Sequence, residues 1–293
     1  SCMTGPDQDA IDRLPSLEGL KTEVVYQRQH RISYLPAVQL SGATLVEIGA
    51  EPEIHPAELE MAITEKTAAV LYIAGEHLSE GALPLPEVIE ISHARGVPVI
   101  VDGTAQLPPT ESLWRYTRDL GADLAIFSGG KDLRGPQASG LIVGRRDLIE
   151  ASFLNGTPHP RMGRPMKVGK EEMLGLLKAV ELYLEEDQAA RIAGFEDTVR
   201  GWIAICNALP GVSARREFPN EAGQPMPRCV VEVDPAVVNL TSDELVARLW
   251  EGNPRVAVKP YGAHGVSMTP DTLAAGDERI VSERVCEVVT RNV

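Results

Sequence analysis

The sequence predicts an α/β protein in which a large domain with a mostly parallel sheet precedes a smaller α+β domain. From Glu23 onward, short runs rich in β-branched residues alternate with longer amphipathic stretches, as in strand–helix–strand units. The strand candidates are continuously apolar, which is typical of a parallel sheet covered on both faces. After Lys167 this alternation gives way to a long helical stretch and then to a shorter mixed pattern.

Six strand candidates account for the sheet of the large domain. They are short, and valine, isoleucine, leucine and alanine dominate most of them. In chain order they are EVVYQ (23–27), TLVEIG (44–49), AAVLYIAG (68–75), VPVIVD (97–102), ADLAIFS (122–128) and ASGLIVG (138–144). The last follows its predecessor too closely for a helical crossover, so we expect it to pair antiparallel or to return at an edge of the sheet.

Three amphipathic stretches between these strands are predicted helices. They are PAELEMAITE (56–65), LPEVIEISHARG (85–96) and TESLWRYTRDLG (110–121). The second and third end at glycine, the residue that helix C-termini prefer. These helices are expected to supply the crossovers that a parallel sheet needs.

The second half of the chain predicts a different organisation. The stretch 168–209 is long and helical, with a break expected near Asp187 or Gly194. It is followed by a polar, proline-rich loop at 217–227, strand candidates at 228–234 and 255–260, and helices at 241–252 and 277–293. We therefore place the large domain at 1–167, linking helices at 168–209 and a small α+β domain at 210–293.

Composition narrows the classes of function. The chain has 293 residues and a formal net charge of -14, so it has no overall electrostatic attraction for nucleic acid or an anionic membrane. No apolar run reaches the roughly 18 residues that a membrane-spanning helix needs. Its four cysteines are far apart and include no C-x-x-C pair, which indicates a reduced, cytoplasmic protein without a metal site.

An acid and an amine follow two neighbouring strand candidates. Asp102 ends VPVIVD, Ser128 ends ADLAIFS, and Lys131 comes three residues later. Ligands of open α/β sheets bind beyond the carboxyl ends of the strands, so both groups are expected to face one crevice. A buried Asp–Lys ion pair is the simplest interpretation, but it does not explain Gly129 and Gly130, which allow close approach to something bulky.

A pyridoxal-phosphate site is the second interpretation of this pattern. Lys131 would bind the cofactor covalently through its amine. Asp102 would keep the pyridine nitrogen protonated, so that the ring accepts electrons from the substrate. The Ser128 hydroxyl, at a strand end, is placed to hydrogen-bond the phosphate.

Several segments resemble a known family. VDGTAQLPP, ADLAIFSGGKDLRGPQASGLIVGR and GRPMKVGKEEMLGLLKAVELYL are similar to the selenocysteine synthase-like branch of fold-type-I pyridoxal-phosphate enzymes, and within it to the D-glucosaminate-6-phosphate ammonia lyases. The opening CMTG…LP…GLKTEVVYQRQHR and the late VSMTPDTL…GDERIV fit as well. The resemblance covers nearly the whole chain and is most specific from 101 to 145. It implies the fold-type-I transferase fold.

The resemblance assigns roles to individual residues. Lys131 matches the cofactor-binding lysine, Asp102 the partner of the pyridine nitrogen, and Ser128 the serine of an S-x-x-K phosphate contact. His30 matches the aromatic residue that stacks on the cofactor ring. Related enzymes often place a polar contact three residues after the aspartate, where this chain has alanine, so Thr104 or Gln106 is expected to touch the cofactor instead. Gln106 could equally be a turn-stabilising side chain.

A basic run, HPRMGRPMKVGKEE (159–172), is the candidate for substrate binding. In the family this segment lies near the cofactor, and arginine suits a carboxylate or phosphate through its bidentate fork. Arg164 is the first candidate and Arg161 the second. The alternative is a solvated loop before a helix.

The resemblance implies a pyridoxal-phosphate lyase that releases ammonia by α,β-elimination from a 2-amino-3-hydroxy acid such as a phosphorylated amino sugar acid. Selenium or sulfur transfer to seryl-tRNA, transamination, and a cofactor-free interaction protein are the alternatives; the negative charge counts against tRNA. Family members carry further residues before CMTG, including a phosphate-binding Ser-Gly-Ala loop at a helix N-terminus, so we expect this chain to lack that part. A homodimer or larger homo-oligomer is also implied.

Overall fold

The computed structural model describes residues 1–50 and 52–292. The chain divides into two units. Unit 1 comprises Ser1–Glu186 together with Glu221–Gly223, and unit 2 comprises Asp187–Asn220 and Gln224–Val293.

Unit 1 is built on a sheet that has six strands within the described residues, in the order β2-β1-β3-β4-β5-β6. The strands are β1 (Glu23–Gln27), β2 (Thr44–Ile48), β3 (Thr67–Ile73), β4 (Val99–Asp102), β5 (Leu124–Ser128) and β6 (Gly140–Gly144). Strands β1 to β5 pair in parallel, and β6 pairs antiparallel with β5 at the edge. The predicted α/β class and the antiparallel return of the last strand are therefore confirmed.

Helices cover this sheet and connect its strands. They are α1 (Gln8–Arg13), α2 (Pro36–Gln39), α3 (Pro56–Ala62), α4 (Leu85–Ala94), α5 (Ser112–Trp114), α6 (Arg146–Asn155) and α7 (Lys170–Glu185). Leu59 and Val88 are fully buried, and both helices that carry them pack against the buried strands. The sequence did not predict α1, α2 and α6, of which α1 and α2 are short.

Two of the predicted helices differ in the structure. Helix α3 ends at Ala62 because the next turn is taken over by local bonds: the backbone N–H of Thr64 donates to Oγ1 of Thr67 at 2.9 Å. The helix predicted at 110–121 begins with the single turn α5 and continues as a wider π-type turn over Arg115–Asp119. There the Leu120 N–H donates to the Arg115 carbonyl five residues back, at 2.9 Å.

The long helical stretch 168–209 divides between the two units. Helix α7 ends at Glu185, and α8 (Gln188–Cys206) starts after Asp187, whose side chain accepts from the Ala190 N–H. The break thus lies at Asp187 and not at Gly194, because aspartate caps a helix N-terminus. Tyr183 of α7 packs into the core of unit 1, whereas Trp202 of α8 packs into the core of unit 2.

Unit 2 contains an antiparallel sheet with the order β7-β8-β10-β9 in the part of the chain that the structure describes. Its elements are β7 (Val212–Glu217), β8 (Arg228–Val233), α9 (Ser242–Trp250), β9 (Lys259–Tyr261), β10 (Gly265–Met268) and α10 (Asp277–Thr290). The strand predicted at 255–260 is shorter than expected and starts only at Lys259. Strands β7 and β10 were not predicted. VSARRE of β7 is mostly polar and buries only Ala214, and β10 is only four residues long.

Candidate functional site

Three parallel strands of unit 1 bring the predicted residues to the side of the sheet where the strands have their carboxyl ends. This side is called the carboxyl edge of the sheet. In the register of the sheet, Ile73 of β3 pairs with Asp102 of β4, and Asp102 pairs with Ile126 of β5. Ser128 lies two residues beyond Ile126, at the end of β5. Neighbouring strands lie about 4.8 Å apart, so the carboxyl ends that carry Asp102 and Ser128 are adjacent.

Asp102 is half-buried and its carboxylate is partly fixed by the backbone. Its Oδ1 accepts a hydrogen bond from the Thr104 N–H at 3.0 Å. Within residues 1–50 and 52–292, no ion pair joins Asp102 to Lys131. The buried Asp–Lys pair considered from the sequence is therefore not present, and the second carboxylate oxygen is open to a ligand.

Lys131 is exposed on the turn that follows β5. The Arg134 N–H donates to the Lys131 carbonyl at 2.8 Å, and the Gly135 N–H donates to the Gly129 carbonyl at 2.8 Å. In the described part of the chain, its amine has no hydrogen-bond or ion-pair partner. The fold therefore presents a free amine three residues beyond Ser128.

The glycines before Lys131 have a cause inside the chain. A Cβ on Gly129 would lie 2.1 Å from Oγ of Ser139, and a Cβ on Gly130 would lie 2.7 Å from Cα of Gln137. The Gln137 amide also donates to the Gly130 carbonyl at 2.8 Å. The bulky neighbour that these glycines admit is the returning segment before β6.

His30 is fully buried on a short 3-10 turn after β1. Its Nδ1 accepts from the Ile73 N–H at 3.3 Å, which leaves the proton on Nε2, and its ring lies 4.5 Å from that of Tyr72 in an edge arrangement. Burial lowers the pKa of His30 from 6.5 to about 4, so the ring is neutral near pH 7. Since Ile73 pairs with Asp102, the histidine lies at the same edge of the sheet as the aspartate.

The two polar residues after Asp102 differ in how they are held. The side chain of Thr104 has no hydrogen-bond partner among the described residues. Gln106, in contrast, donates through Nε2 to the carbonyls of Ala105 and Ala222, at 3.0 and 3.2 Å. Its amide thus binds the Glu221–Gly223 segment, so of its two sequence interpretations the structural one describes the contacts seen.

The two arginine candidates contact other parts of unit 1. Arg161 forms an ion pair with Asp12 and donates to Oε1 of Gln8 at 3.2 Å, so it anchors helix α1. Arg164 is exposed and donates to the Pro158 carbonyl at 2.9 Å. No hydrogen bond or ion pair in the described ranges connects either arginine to the edge residues.

One relevant contact was not found from the sequence. The hydroxyl of Tyr183, on α7, donates to Oδ2 of Asp132 at 2.7 Å, next to Lys131. Tyr183 lies inside the predicted helix GLLKAVELYL, where a tyrosine among leucines is the only local signal. Its partner, 51 residues earlier, has no sequence signature.

The groups at this edge fit a pyridoxal phosphate. They comprise a free amine, a carboxylate with an open oxygen, and two hydroxyls without hydrogen-bond partners in the described chain. Two buried polar atoms on the turn after β1, Nε2 of His30 and Oε1 of Gln29, also have no partner among the described residues. Such orphaned atoms are rare in native proteins, and a bound polar group is one partner that would satisfy them. Residues 1–50 and 52–292 contain no group of three or more His, Cys, Asp or Glu that could hold a metal ion.

Comparison with known proteins places this site in context. Residues 31–195 match the family described as SelA, L-seryl-tRNA selenium transferase. A 5'-C-glycyluridine monooxygenase-decarboxylase from Streptomyces is 33% identical over 99% of this chain and 72% of its own length. D-glucosaminate-6-phosphate ammonia lyase from Salmonella typhimurium is 31% identical over 98% of this chain and 76% of its own length. A solved structure of D-glucosaminate-6-phosphate ammonia-lyase superimposes with a TM-score of 0.83 at 30% identity, covering 99% of this chain and 77% of that one.

Proposed function

The chain belongs to the SelA (L-seryl-tRNA selenium transferase) family, and from that premise we propose that it is a pyridoxal-phosphate-dependent ammonia lyase. Membership confirms the resemblance inferred from the sequence, the fold-type-I fold and the expectation of a pyridoxal-phosphate enzyme. The observation that carries the proposal is the arrangement of Asp102, Ser128 and Lys131 at adjacent carboxyl ends of β4 and β5.

The residues at this edge have distinct roles in holding the cofactor. Lys131 supplies the amine that binds it, and Ser128 and Thr104 supply hydroxyls for its polar substituents. Asp102 holds a proton on the pyridine nitrogen through the oxygen that Thr104 does not engage. When bound, pyridoxal phosphate supplies an electron sink that stabilises negative charge at the substrate α-carbon.

The protein's own groups then move the protons. Nζ of Lys131 takes the proton from the substrate α-carbon, and can give a proton to the hydroxyl that leaves the β-carbon. The neutral ring of His30 covers the buried side of the site without adding positive charge beside the protonated pyridine nitrogen. Loss of water from the α- and β-carbons, followed by hydrolysis, gives a keto acid and ammonia.

The substrate class comes from a relative. The ammonia lyase that is 31% identical is named for D-glucosaminate 6-phosphate, an amino sugar acid with a hydroxyl next to its amine-bearing carbon. We infer a substrate of the same type, a phosphorylated 2-amino-3-hydroxy acid. Arg164 is the proposed contact for an anionic substrate group, since Asp12 already neutralises Arg161.

A second candidate is an oxygen-dependent decarboxylation. A relative at 33% identity is named as a monooxygenase-decarboxylase of a glycyl nucleoside. Seryl-tRNA transfer has less support, because the net charge of -14 opposes binding to an RNA backbone. Transamination is a further alternative that would use the same lysine.

Location and assembly belong to the same proposal. In the described part of the chain, no helix combines the length and apolar character needed to cross a membrane. We propose a cytoplasmic enzyme that forms a homodimer or larger homo-oligomer. Light scattering after size exclusion would test the assembly.

The first experiment tests the cofactor. The purified chain is mixed with pyridoxal phosphate, reduced with borohydride and digested, and the labelled peptide is identified by mass spectrometry. Label is expected on Lys131 and absent in Lys131→Ala. Lys178→Ala is the matched control, because Lys178 is an exposed lysine on α7 paired with Glu181.

The second experiment separates the reactions. Ammonia release and oxygen consumption are measured for phosphorylated amino sugar acids, hydroxy-amino acids and glycyl nucleosides. Ammonia without oxygen uptake supports the lyase. Oxygen uptake with loss of carbon dioxide, or label on a residue other than Lys131, would contradict it.

A further inference from the structure

We propose that Tyr183 and Asp132 form a positioning pair that fixes the loop carrying Lys131. This inference rests on the proposed function, because it assigns a purpose to the geometry of the cofactor-binding lysine. Neither residue is placed as a contact of substrate or cofactor. Each acts through the backbone of the loop.

The first support is the hydrogen bond itself. Tyr183 is fully buried, with 0% of its surface accessible to solvent. Its hydroxyl donates to Oδ2 of Asp132 at 2.7 Å. A phenylalanine would fill the same apolar core without needing a buried acceptor. The polar pair is therefore not required for packing, and it lies next to the residue on which the chemistry depends.

The second support is the conformation of the loop. Arg134 has φ of +55°, in the left-handed region that non-glycine residues rarely adopt. Such backbone persists only where surrounding contacts hold it. Arg134 also forms an ion pair with Glu186, at 2.6 Å, so the end of α7 holds the loop on both sides of Leu133.

The third support is the close packing of α7 against the loop. A Cβ on Gly135 would lie 3.2 Å from Cβ of Ala179, and a Cβ on Gly175 would lie 2.8 Å from Cγ of Pro136. Helix and loop thus touch through glycine on each side. The Tyr183–Asp132 bond gives this apolar contact one fixed register, which sets the direction of the adjacent lysine.

The test compares variants of the pair. Tyr183→Phe removes the donor and Asp132→Ala removes the acceptor, whereas Asp132→Asn keeps an oxygen that can accept from Tyr183. Tyr26→Phe is the matched control, because the Tyr26 hydroxyl donates to the Glu47 carboxylate at 2.6 Å in the same unit. The readouts are the rate at which pyridoxal phosphate and borohydride label Lys131, amide hydrogen exchange of residues 129–139, and the melting temperature.

Tyr183→Phe and Asp132→Ala are each expected to slow labelling about tenfold, because small displacements of a reacting group carry large rate penalties. Both should speed exchange in 129–139, and the double variant should be no slower than either single variant. Asp132→Asn should label within about twofold of the unaltered chain, since the hydrogen bond is kept. Tyr26→Phe should lower the melting temperature without slowing the labelling.

Contrary results are equally defined. Unchanged labelling and exchange in Tyr183→Phe and Asp132→Ala would overturn the pair. So would a slowing of the labelling rate in these variants that is no larger than the slowing in Tyr26→Phe. An Asp132→Asn variant as slow as Asp132→Ala would also overturn it, because the charge and not the bond to Tyr183 would then matter. If the unaltered chain is not labelled at Lys131, the proposed function fails, while hydrogen exchange still decides the pair.

Discussion

The Ile73 backbone N–H donates to Nδ1 of His30 at 3.3 Å, and this bond ties the turn after β1 to the strand that pairs with Asp102. It fixes the tautomer of the histidine with the proton on Nε2. It also holds a buried, neutral ring next to the strand residue that pairs with Asp102. The expected behaviour of the protein in solution follows from this and neighbouring contacts.

The buried His30 predicts a stability change in mild acid. Its pKa is about 4 in the folded chain and 6.5 when exposed, so the unfolded chain binds more protons between these values. The contribution of neutral His30 to the free energy of unfolding is therefore fully present above pH 6.5. It is lost as the pH falls toward 4, by up to about 3 kcal/mol. Urea unfolding of the unaltered chain and of His30→Phe, at pH 7 and pH 4.5, measures this difference. His159→Gln, on a surface segment, should retain the loss, and a loss retained in His30→Phe would refute the assignment.

Asp102→Asn separates cofactor chemistry from folding. Asparagine keeps an oxygen for the Thr104 N–H but no longer holds a proton on the pyridine nitrogen. We expect the melting temperature to stay nearly constant while kcat falls at least about 100-fold. Calorimetry and steady-state kinetics give the two numbers. A variant with unchanged kcat would remove Asp102 from the mechanism.

Asp123 lies directly before β5, at the end of the strand opposite the site, and its replacement is expected to have a purely structural effect. Its carboxylate accepts from the Val99 N–H at 2.7 Å, from Nε2 of His93 at 2.9 Å and from Arg145 at 2.8 Å. Burial alone would raise the pKa of Asp123, but these bonds hold it below its usual value. The stability that it supplies is therefore present above pH 3.8 and lost only below it, outside the range of His30.

Removing the Asp123 carboxylate leaves the buried Val99 N–H without its acceptor, whereas the exposed side chains of His93 and Arg145 can turn to water. Asp123→Ala is expected to destabilise the fold by about 2 kcal/mol, with labelling of Lys131 unchanged in the folded fraction. Urea unfolding and the labelling assay check both parts. Loss of labelling at full folding would show that this end of β5 communicates with the site.

Gln106 predicts a link between the loop after Asp102 and the Glu221–Gly223 segment. Gln106→Ala removes the bond to the Ala222 carbonyl, so hydrogen exchange at 221–223 should rise and stability should fall by about 1 kcal/mol. A cofactor contact would behave differently. In that case the affinity for pyridoxal phosphate would fall while exchange at 221–223 stayed constant.

The two arginine candidates should separate by kinetics. Arg164→Ala is expected to raise KM for a phosphorylated substrate roughly tenfold with kcat maintained, because an exposed guanidinium contributes binding and not chemistry. Arg161→Ala should instead lower stability by about 1 kcal/mol, through loss of the Asp12 pair. Asp12→Ala is its matched control and should reproduce the stability change. Equal KM for Arg164→Ala and the unaltered chain would exclude Arg164 from substrate binding.

Much of unit 1 could be predicted because its signals are local. Continuous apolar runs identified all six strands, and the short loop before β6 indicated its antiparallel pairing. Unit 2 was harder, since β7 is an exposed polar strand and β9 and β10 are only three and four residues long. The helix α1 was also missed because it is short: six residues carry little periodicity.

The sequence by itself determined that Asp102, Ser128 and Lys131 follow neighbouring parallel strands, because strand period and chain order place such ends on one edge. The tertiary structure alone decided which side chains stay open there. Arg161 forms an ion pair with Asp12, Gln106 donates to the Ala222 carbonyl, and Asp132 accepts from Tyr183. Ser139 occupies the space beside Gly129. Except for the last, these partners are more than fifty residues apart, and hydrogen bonds over such separations depend on packing, which leaves no pattern in the local sequence.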